Sequence, residues 1–352
     1  MSENRSIQLG LCCMNTLLQT RKPPIMSSRS VILKTFETKG FEPLREKIIK
    51  NLQDTITMIE WNEQNGIKVF RLSSELFPHK SNPKAPDYDF DFALDLLRDI
   101  GQRAKLYRQR ITFHPGQYNV IGTPREEVLL NTIQDLSYHA DVLDLMGMEK
   151  DSVIVIHGGG VYGDKKATID RWCQQFYRLP EKVRRRIVIE NCEKNFSIID
   201  CLEVSNRINI PVVFDTHHVE CYKTLPPLEK FEDPEIYIHA ILETWWRRDI
   251  KPKFHVSEQG SGKTGHHSDF IETIPNYLLE IPEKFACDID IMIEAKLKEQ
   301  AIFRLYQKYP FLNCIKDTNV DETDGLREKK PISLNVPAME WAKKCAQACE
   351  CC

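Results

Sequence analysis

A chain of 352 residues that is 41% hydrophobic can bury two ordinary domains or one α/β barrel, a fold that commonly exceeds ~250 residues. Charged residues make up 28% of the chain and the net charge is only -3, so the overall balance is silent about nucleic acid and only local patches could bind it. No apolar run reaches spanning length and the opening MSENRSIQLG is polar, which excludes a membrane span and a signal peptide from the expectation; the chain is expected to be soluble, intracellular and either cytoplasmic or nuclear.

Short apolar, β-branched runs recur along the chain at 7–13, 68–74, 110–114, 152–157, 185–190, 211–215, 253–257 and 290–294. Amphipathic patterns separate them and predict helices over 44–66, 89–108, 125–148, 166–178, 197–208, 233–246, 268–279 and 297–308. In TPREEVLL, Thr123 is placed to cap a helix and Pro124 to occupy its first position. Strand alternating with helix eight times predicts a parallel sheet, and eight such units close into a (β/α)8 TIM barrel; an open doubly wound sheet is the alternative. The barrel domain is expected over 1–308. Residues 309–352 form a polar extension without periodicity, expected to be partly disordered, and its end CAQACECC carries Cys345, Cys349, Cys351 and Cys352. That spacing lacks paired C-x-x-C knuckles, so a frayed tail is expected there rather than a zinc site, and the twelve cysteines as a whole read as reduced thiols.

The ends of the predicted strands carry the chemistry. The third ends in His114, the fourth in His157, the fifth in Glu190, the sixth leads into Asp215 and His218, the seventh holds Lys253 and His255 two residues apart, and the eighth ends in Glu294. His267 follows the seventh strand. In a barrel these ends converge on the face where active sites sit. A single histidine there is usually a satisfied rim residue. Six consecutive strands ending in His or carboxylate are not explained that way, because buried carboxylates are costly unless paired or metal-bound. The donor set suits zinc, manganese or iron, and its size suggests more than one ion.

Two phosphate-loop look-alikes are set aside. GGGVYG, 158–163, fits a dinucleotide fingerprint but follows a strand that ends in His157, and SEQGSGKT, 257–264, has Ser257 where a P-loop requires glycine. A nucleic-acid signal is local: in the loop expected to leave the first strand on the same face as the metal donors, from Met14 to Phe36, there is no acid, while Arg21, Lys22, Arg29 and Lys34 are basic, as phosphate contacts require.

Taken together, LGLCCMN, HPGQY, HGGGVYG, VFDTHH, KFHVS and IEAKLKEQA resemble the UV damage endonuclease family, metal-dependent barrel nucleases related in architecture to endonuclease IV. The resemblance runs from about Leu9 to Gln300. It implies a DNA repair enzyme that nicks damaged double-stranded DNA immediately 5′ of UV photoproducts (cyclobutane dimers, 6-4 photoproducts and, by extension, abasic sites) and leaves a 3′-hydroxyl. It implies a cluster of two or three divalent ions, given as Mn²⁺, held by His114, His157, Glu190, Asp215, His218, His255, His267 and Glu294. By the same resemblance Asn15, Lys253 and Glu190 are catalytic, Lys253 in a form that can be carboxylated, and Gln117 and Tyr118 probe the duplex at the lesion. Arg21, Lys22, Arg29 and Lys34 are expected on the DNA backbone, and the chain is expected to be a monomer. Two positions depart from the family pattern: Leu11 stands where a tyrosine is common, and Asn82 stands where a histidine ligand is common, with His79 displaced by three residues. A xylose isomerase-like sugar isomerase or epimerase and a non-catalytic damage-binding protein are the alternatives; the basic segment and the GQY turn argue against the first, the near-complete ligand set against the second.

Overall fold

The computed structural model describes residues 6–225 and 233–314. The four tail cysteines and nearly all of the expected extension lie outside them. Eight parallel strands form the sheet: β1 (Ile7–Cys12), β2 (Val69–Arg71), β3 (Arg110–Thr112), β4 (Ile154–His157), β5 (Ile187–Glu190), β6 (Val212–Asp215), β7 (Lys253–Val256) and β8 (Ile289–Ile293). Their order is β3-β2-β1-β8-β7-β6-β5-β4. Phe113 closes the ring against β4: its N–H donates to the Val153 carbonyl at 3.0 Å and its carbonyl accepts from Val155 at 2.9 Å. The fold is a (β/α)8 TIM barrel, as the alternation of elements predicts.

The strands read as continuous apolar runs because both of their faces are buried. Ile154, Val155 and Ile156 of β4 pair in register with Ile187, Val188 and Ile189 of β5, and all six are buried. Around the ring the helix Glu42–Gln64 buries Leu44, Ile48, Leu52 and Ile59, and the helix Glu126–Leu145 buries Leu129, Leu136 and Leu143, each a stripe along one face. The helix Ile198–Ile208 opens on a capping box between Ser197 and Asp200. Inside the barrel, Asp290 pairs with Arg110 at 2.7 Å and with Lys251 at 2.5 Å, and this ion cluster lies level with Lys253, two residues before the end of the barrel that His255 faces.

Three local expectations are corrected. The helix expected over 268–279 is confined to Asn276–Leu279. The Glu258 carboxylate accepts from the backbone N–H groups of Glu272 and Thr273 at 2.8 and 3.0 Å, which removes the donors a helix would use, and Pro275 precedes the helical turn. The helix expected from Pro124 begins at Glu126, because the Thr123 hydroxyl accepts from Arg125 N–H at 3.2 Å and closes a turn instead. The acid-free segment is not simply a loop: it holds the helical turn Thr16–Gln19 and the start of the helix Leu33–Lys39.

Candidate metal centre

Every strand end from β3 to β8 delivers a donor to one face of the barrel. Glu190 lies at the centre of the group. Its carboxylate oxygens stand 2.8 Å from His114 Nε2, 2.9 Å from His255 Nδ1, 3.7 Å from His218 Nδ1 and 3.9 Å from His157 Nε2. Glu294 Oε1 is 3.3 Å from His255 Nδ1, and its other oxygen is 3.7 Å from His267 Nε2. Six of the eight expected donors fall into three overlapping triplets, each with ligand atoms within 4.8 Å of one another: His114, Glu190 and His255; Glu190, Asp215 and His218; Asp215, His255 and Glu294; His157 and His267 stand beside them and belong to none.

The electrostatics are those of a site short of positive charge. Burial opposes ionisation of Glu190 and Glu294, but the histidines around Glu190, and Arg71 with His255 beside Glu294, outweigh it and hold both carboxyls well below the usual range. Burial raises Asp215, which has Glu190 and Glu294 as neighbours. Burial also opposes charge on His218, yet Asp215, Glu190 and Glu294 push it up to about 9. His157 goes the other way, down to about 4, through burial and in spite of Glu190. Nδ1 of His157 and Nε2 of His255 are buried without a hydrogen-bond partner. Three carboxylates crowded with orphaned imidazole nitrogens fit divalent cations, which satisfy both at once.

Neighbouring groups fix these ligands, and two of them were not singled out in the sequence. Asn191 locks Asp215 from both sides of its amide, accepting from Asp215 N–H at 2.9 Å and donating to its carbonyl at 3.1 Å, and its own carbonyl meets His218 Nδ1 at 3.0 Å. The Asp215 carboxylate also caps the helix Thr216–Tyr222 by accepting from His218 N–H at 2.8 Å, so one residue sets the position of the other. Arg71, at the end of β2, donates to Glu294 Oε1 at 2.5 Å. An arginine at a strand end among His and Glu residues was the signal available in RLSS for this contact.

The remaining expected residues are spread over the same end of the barrel and one layer below. Asn15 is buried and caps the turn Thr16–Gln19 through its Oδ1, leaving Nδ2 without a protein partner. Lys253 is fully buried one layer below His255; its amine has no hydrogen-bond partner, and burial with nearby Arg110 pushes it down to about 7, against Asp290. Gln117 and Tyr118 follow His114 in an exposed turn, with Tyr118 66% exposed. Arg21, Lys22 and Lys34 are exposed, but Arg29 is engaged inside the protein, paired with Asp54 at 2.7 Å. His79 bonds the Val31 carbonyl at 2.7 Å and the Asn82 side chain accepts from Lys84 N–H at 3.0 Å, and neither belongs to a ligand triplet. Leu11 is wholly buried in the core.

The family described as UV-endonuclease UvdE matches residues 7–323. The chain belongs to this family. It is 40% identical to a putative UV-damage endonuclease of Acanthamoeba polyphaga mimivirus over 93% of this chain and 98% of that one. It is 38% identical to the UV-damage endonuclease of Schizosaccharomyces pombe over 87% of this chain, which spans 51% of the yeast protein. The crystal structure of SacUVDE superimposes with a TM-score of 0.73 at 30% identity, covering 87% of this chain and all of that one. Endonuclease IV from Thermus thermophilus, at 16% identity and a TM-score of 0.51 over 73% of this chain and 94% of that one, shares the fold. Among the described residues no helix is long and apolar enough to cross a membrane.

Proposed function

We propose that the chain is a metal-dependent endodeoxyribonuclease that nicks duplex DNA immediately 5′ of UV photoproducts and leaves a 3′-hydroxyl. The observation that carries this reading is the set of three ligand triplets sharing Glu190, Asp215 and His255 at the mouth of the barrel, in a chain whose relatives are named for UV-damage endonuclease. His114, His157, Glu190, Asp215, His218, His255, His267 and Glu294 would hold two or three divalent ions, with manganese suited to this mixed donor set. Divalent-metal chemistry there supplies Lewis acidity that activates water and offsets charge building on the phosphate.

The chain's own groups do the rest. Glu190, Asp215 and Glu294 make the site selective for cations over a free anion until it is loaded. Arg71 holds Glu294 in one orientation, and Asn15, whose Nδ2 is buried without a protein partner, would serve the site as a catalytic residue. Arg21, Lys22 and Lys34 would meet phosphates, and Gln117 with Tyr118 would fill the gap left where a photoproduct weakens stacking and pairing. Lys253, whose amine burial pushes down to about 7, would in its neutral form bond through nitrogen to the carbon of CO₂, release one N–H proton to water and serve the centre as a carbamate. The protein would act on damaged duplex as a monomer, within the cell.

UV-irradiated supercoiled plasmid incubated with the protein and Mn²⁺ should be nicked, and an end-labelled duplex with one thymine dimer should be cut on its 5′ side. His255→Ala should abolish nicking and lower bound metal while leaving the circular dichroism spectrum unchanged. Wild-type nicking by that variant at unchanged metal content would sink the site assignment.

A further inference from the structure

Glu299 stands in the first turn of the helix Lys298–Lys308 and is wholly buried. Its carboxylate is committed to a remote stretch of backbone, the turn Thr16–Gln19. Oε2 accepts from Thr16 N–H at 2.8 Å, and Oε1 accepts from Leu17 N–H at 2.8 Å and from the Thr16 hydroxyl. Gln300 donates to that hydroxyl oxygen at 2.7 Å, which leaves the hydroxyl proton for Glu299. Burial raises the Glu299 carboxyl, and these donors oppose the rise.

The contact decides how Asn15 is held. The first N–H groups of a helical turn have no partner within it. Those of Thr16 and Leu17 go to Glu299, and that of Leu18 goes to Asn15 Oδ1 at 2.8 Å. The amide of Asn15 is thereby fixed in sense, with its oxygen on the turn and Nδ2 turned away, buried and without a protein partner. With Glu299 gone, the N–H groups of Thr16 and Leu17 would compete with that of Leu18 for Asn15 Oδ1, and the amide would lose its single orientation. Lys298, the residue before Glu299, adopts φ 47, a left-handed conformation that a lysine rarely takes. Such a twist persists only where its surroundings hold it, and the residue that it turns is Glu299.

The basic segment that follows has fixings of its own. Met26 N–H donates to the Asp54 carboxylate at 2.9 Å and Arg29 N–H to Asn51 Oδ1 at 2.8 Å, both on the helix Glu42–Gln64. Glu299 therefore bears on Asn15 more than on the exposed cations. We propose that Glu299 is a positioning residue for nicking, which through Thr16 and Leu17 holds the Asn15 amide in the one orientation that serves the reaction. The inference rests on the nuclease reading above, with Asn15 as a catalytic residue.

The test is single-turnover nicking, in Mn²⁺ and over a range of protein concentrations, of a duplex with one thymine dimer. The unaltered chain is compared with Glu299→Gln, Asn15→Ala and the double variant. Glutamine keeps the size and one acceptor of Glu299 but sets an N–H against an N–H of the turn. The maximal rate should fall about tenfold in Glu299→Gln, the loss expected of a misplaced catalytic group. The half-saturating protein concentration and the bound Mn²⁺ should stay within about twofold of the unaltered chain. Added to Asn15→Ala, Glu299→Gln should cost nothing further, because a residue that acts through Asn15 has nothing left to act on. In EDTA, amide hydrogen exchange should quicken at Thr16, Leu17 and Leu18 in Glu299→Gln and not at Met26 or Arg29. Thr16→Ala, which removes only the hydroxyl, should show the same pattern with a smaller loss, and it carries the same cycle if Glu299→Gln does not fold. Losses that multiply in the double variant overturn the proposal, as does an Asn15→Ala variant that nicks normally. A defect confined to the half-saturating concentration, or exchange that does not change at the turn, overturns it too. Failure of the unaltered chain to nick defeats the nuclease reading and this inference with it; normal nicking by Glu299→Gln defeats this inference alone.

Discussion

At the scale of single residues, Lys253 separates what burial does from what a metal centre does. Its amine is fully buried without a hydrogen-bond partner and is held at about 7 instead of 10.5. Between those values the unfolded chain binds a proton that the folded chain does not. The metal-free fold therefore gains stability as pH rises from about 7 towards 10.5, and carries the full cost of the burial below that window. Asp290 keeps Arg110 and Lys251 when Lys253 is removed. Lys253→Met should thus be more stable than the parent in EDTA at pH 6 by a few kcal/mol, with a flatter rise to pH 10, read by urea unfolding. In Mn²⁺ the same variant should retain less metal. Parallel pH profiles would show that the amine is not held near neutrality, and unchanged metal content would remove Lys253 from the centre.

At the scale of elements, the ligands are only as well placed as the helices that brace their strands. The helix Leu94–Leu106 crosses the end of the helix Glu126–Leu145 at Gly101, where a Cβ would sit 1.8 Å from the Met146 carbonyl oxygen. No side chain can yield there, since the obstructing atom is backbone. Gly101→Ala should therefore destabilise by more than about 2 kcal/mol, although alanine has the higher helix propensity by ~1 kcal/mol. An unchanged urea midpoint would mean that the two helices do not meet this closely. The segment between β7 and the turn Asn276–Leu279 makes the complementary point. It is held open by Glu258 rather than coiled, and that extended path carries His267 to within 3.7 Å of Glu294.

At the scale of the whole molecule, a net charge of -3 leaves DNA affinity to local clusters. Arg21, Lys22 and Lys34 are exposed, whereas Arg29 is held by Asp54 and by backbone carbonyls. Neutralising each of the first three should weaken damaged and undamaged duplex alike and reduce the salt slope of binding by about one. Arg29→Ala should leave the slope unchanged and lower thermal stability instead. A slope that ignores Arg21, Lys22 and Lys34 would place the phosphate contacts on another face, and a slope that falls for Arg29 would mean that it leaves Asp54 for DNA.

The barrel and the place of most candidate ligands at its mouth were legible in the sequence because they follow from short-range rules. Strands buried on both faces must be apolar runs, and a His or carboxylate that ends such a run has to lie at the barrel mouth, as His114, His157, Glu190, Asp215 and Glu294 do. The partners that fix those ligands depend on contacts remote in sequence. Arg71 meets Glu294 across 223 residues, and Asn191 meets Asp215 across 24, separations that carry no period to read. Local patterning also misjudged the residues 268–275, because a carboxylate outside the segment took the backbone donors on which a helix depends, and it gave no sign of the pairing of Arg29 with Asp54, because Asp54 belongs to a helix that only tertiary packing brings beside it. The sequence by itself determined which residues line the end of the barrel; tertiary structure decided which of them touch, since that is set by packing between strands and loops and not by the order of residues along them.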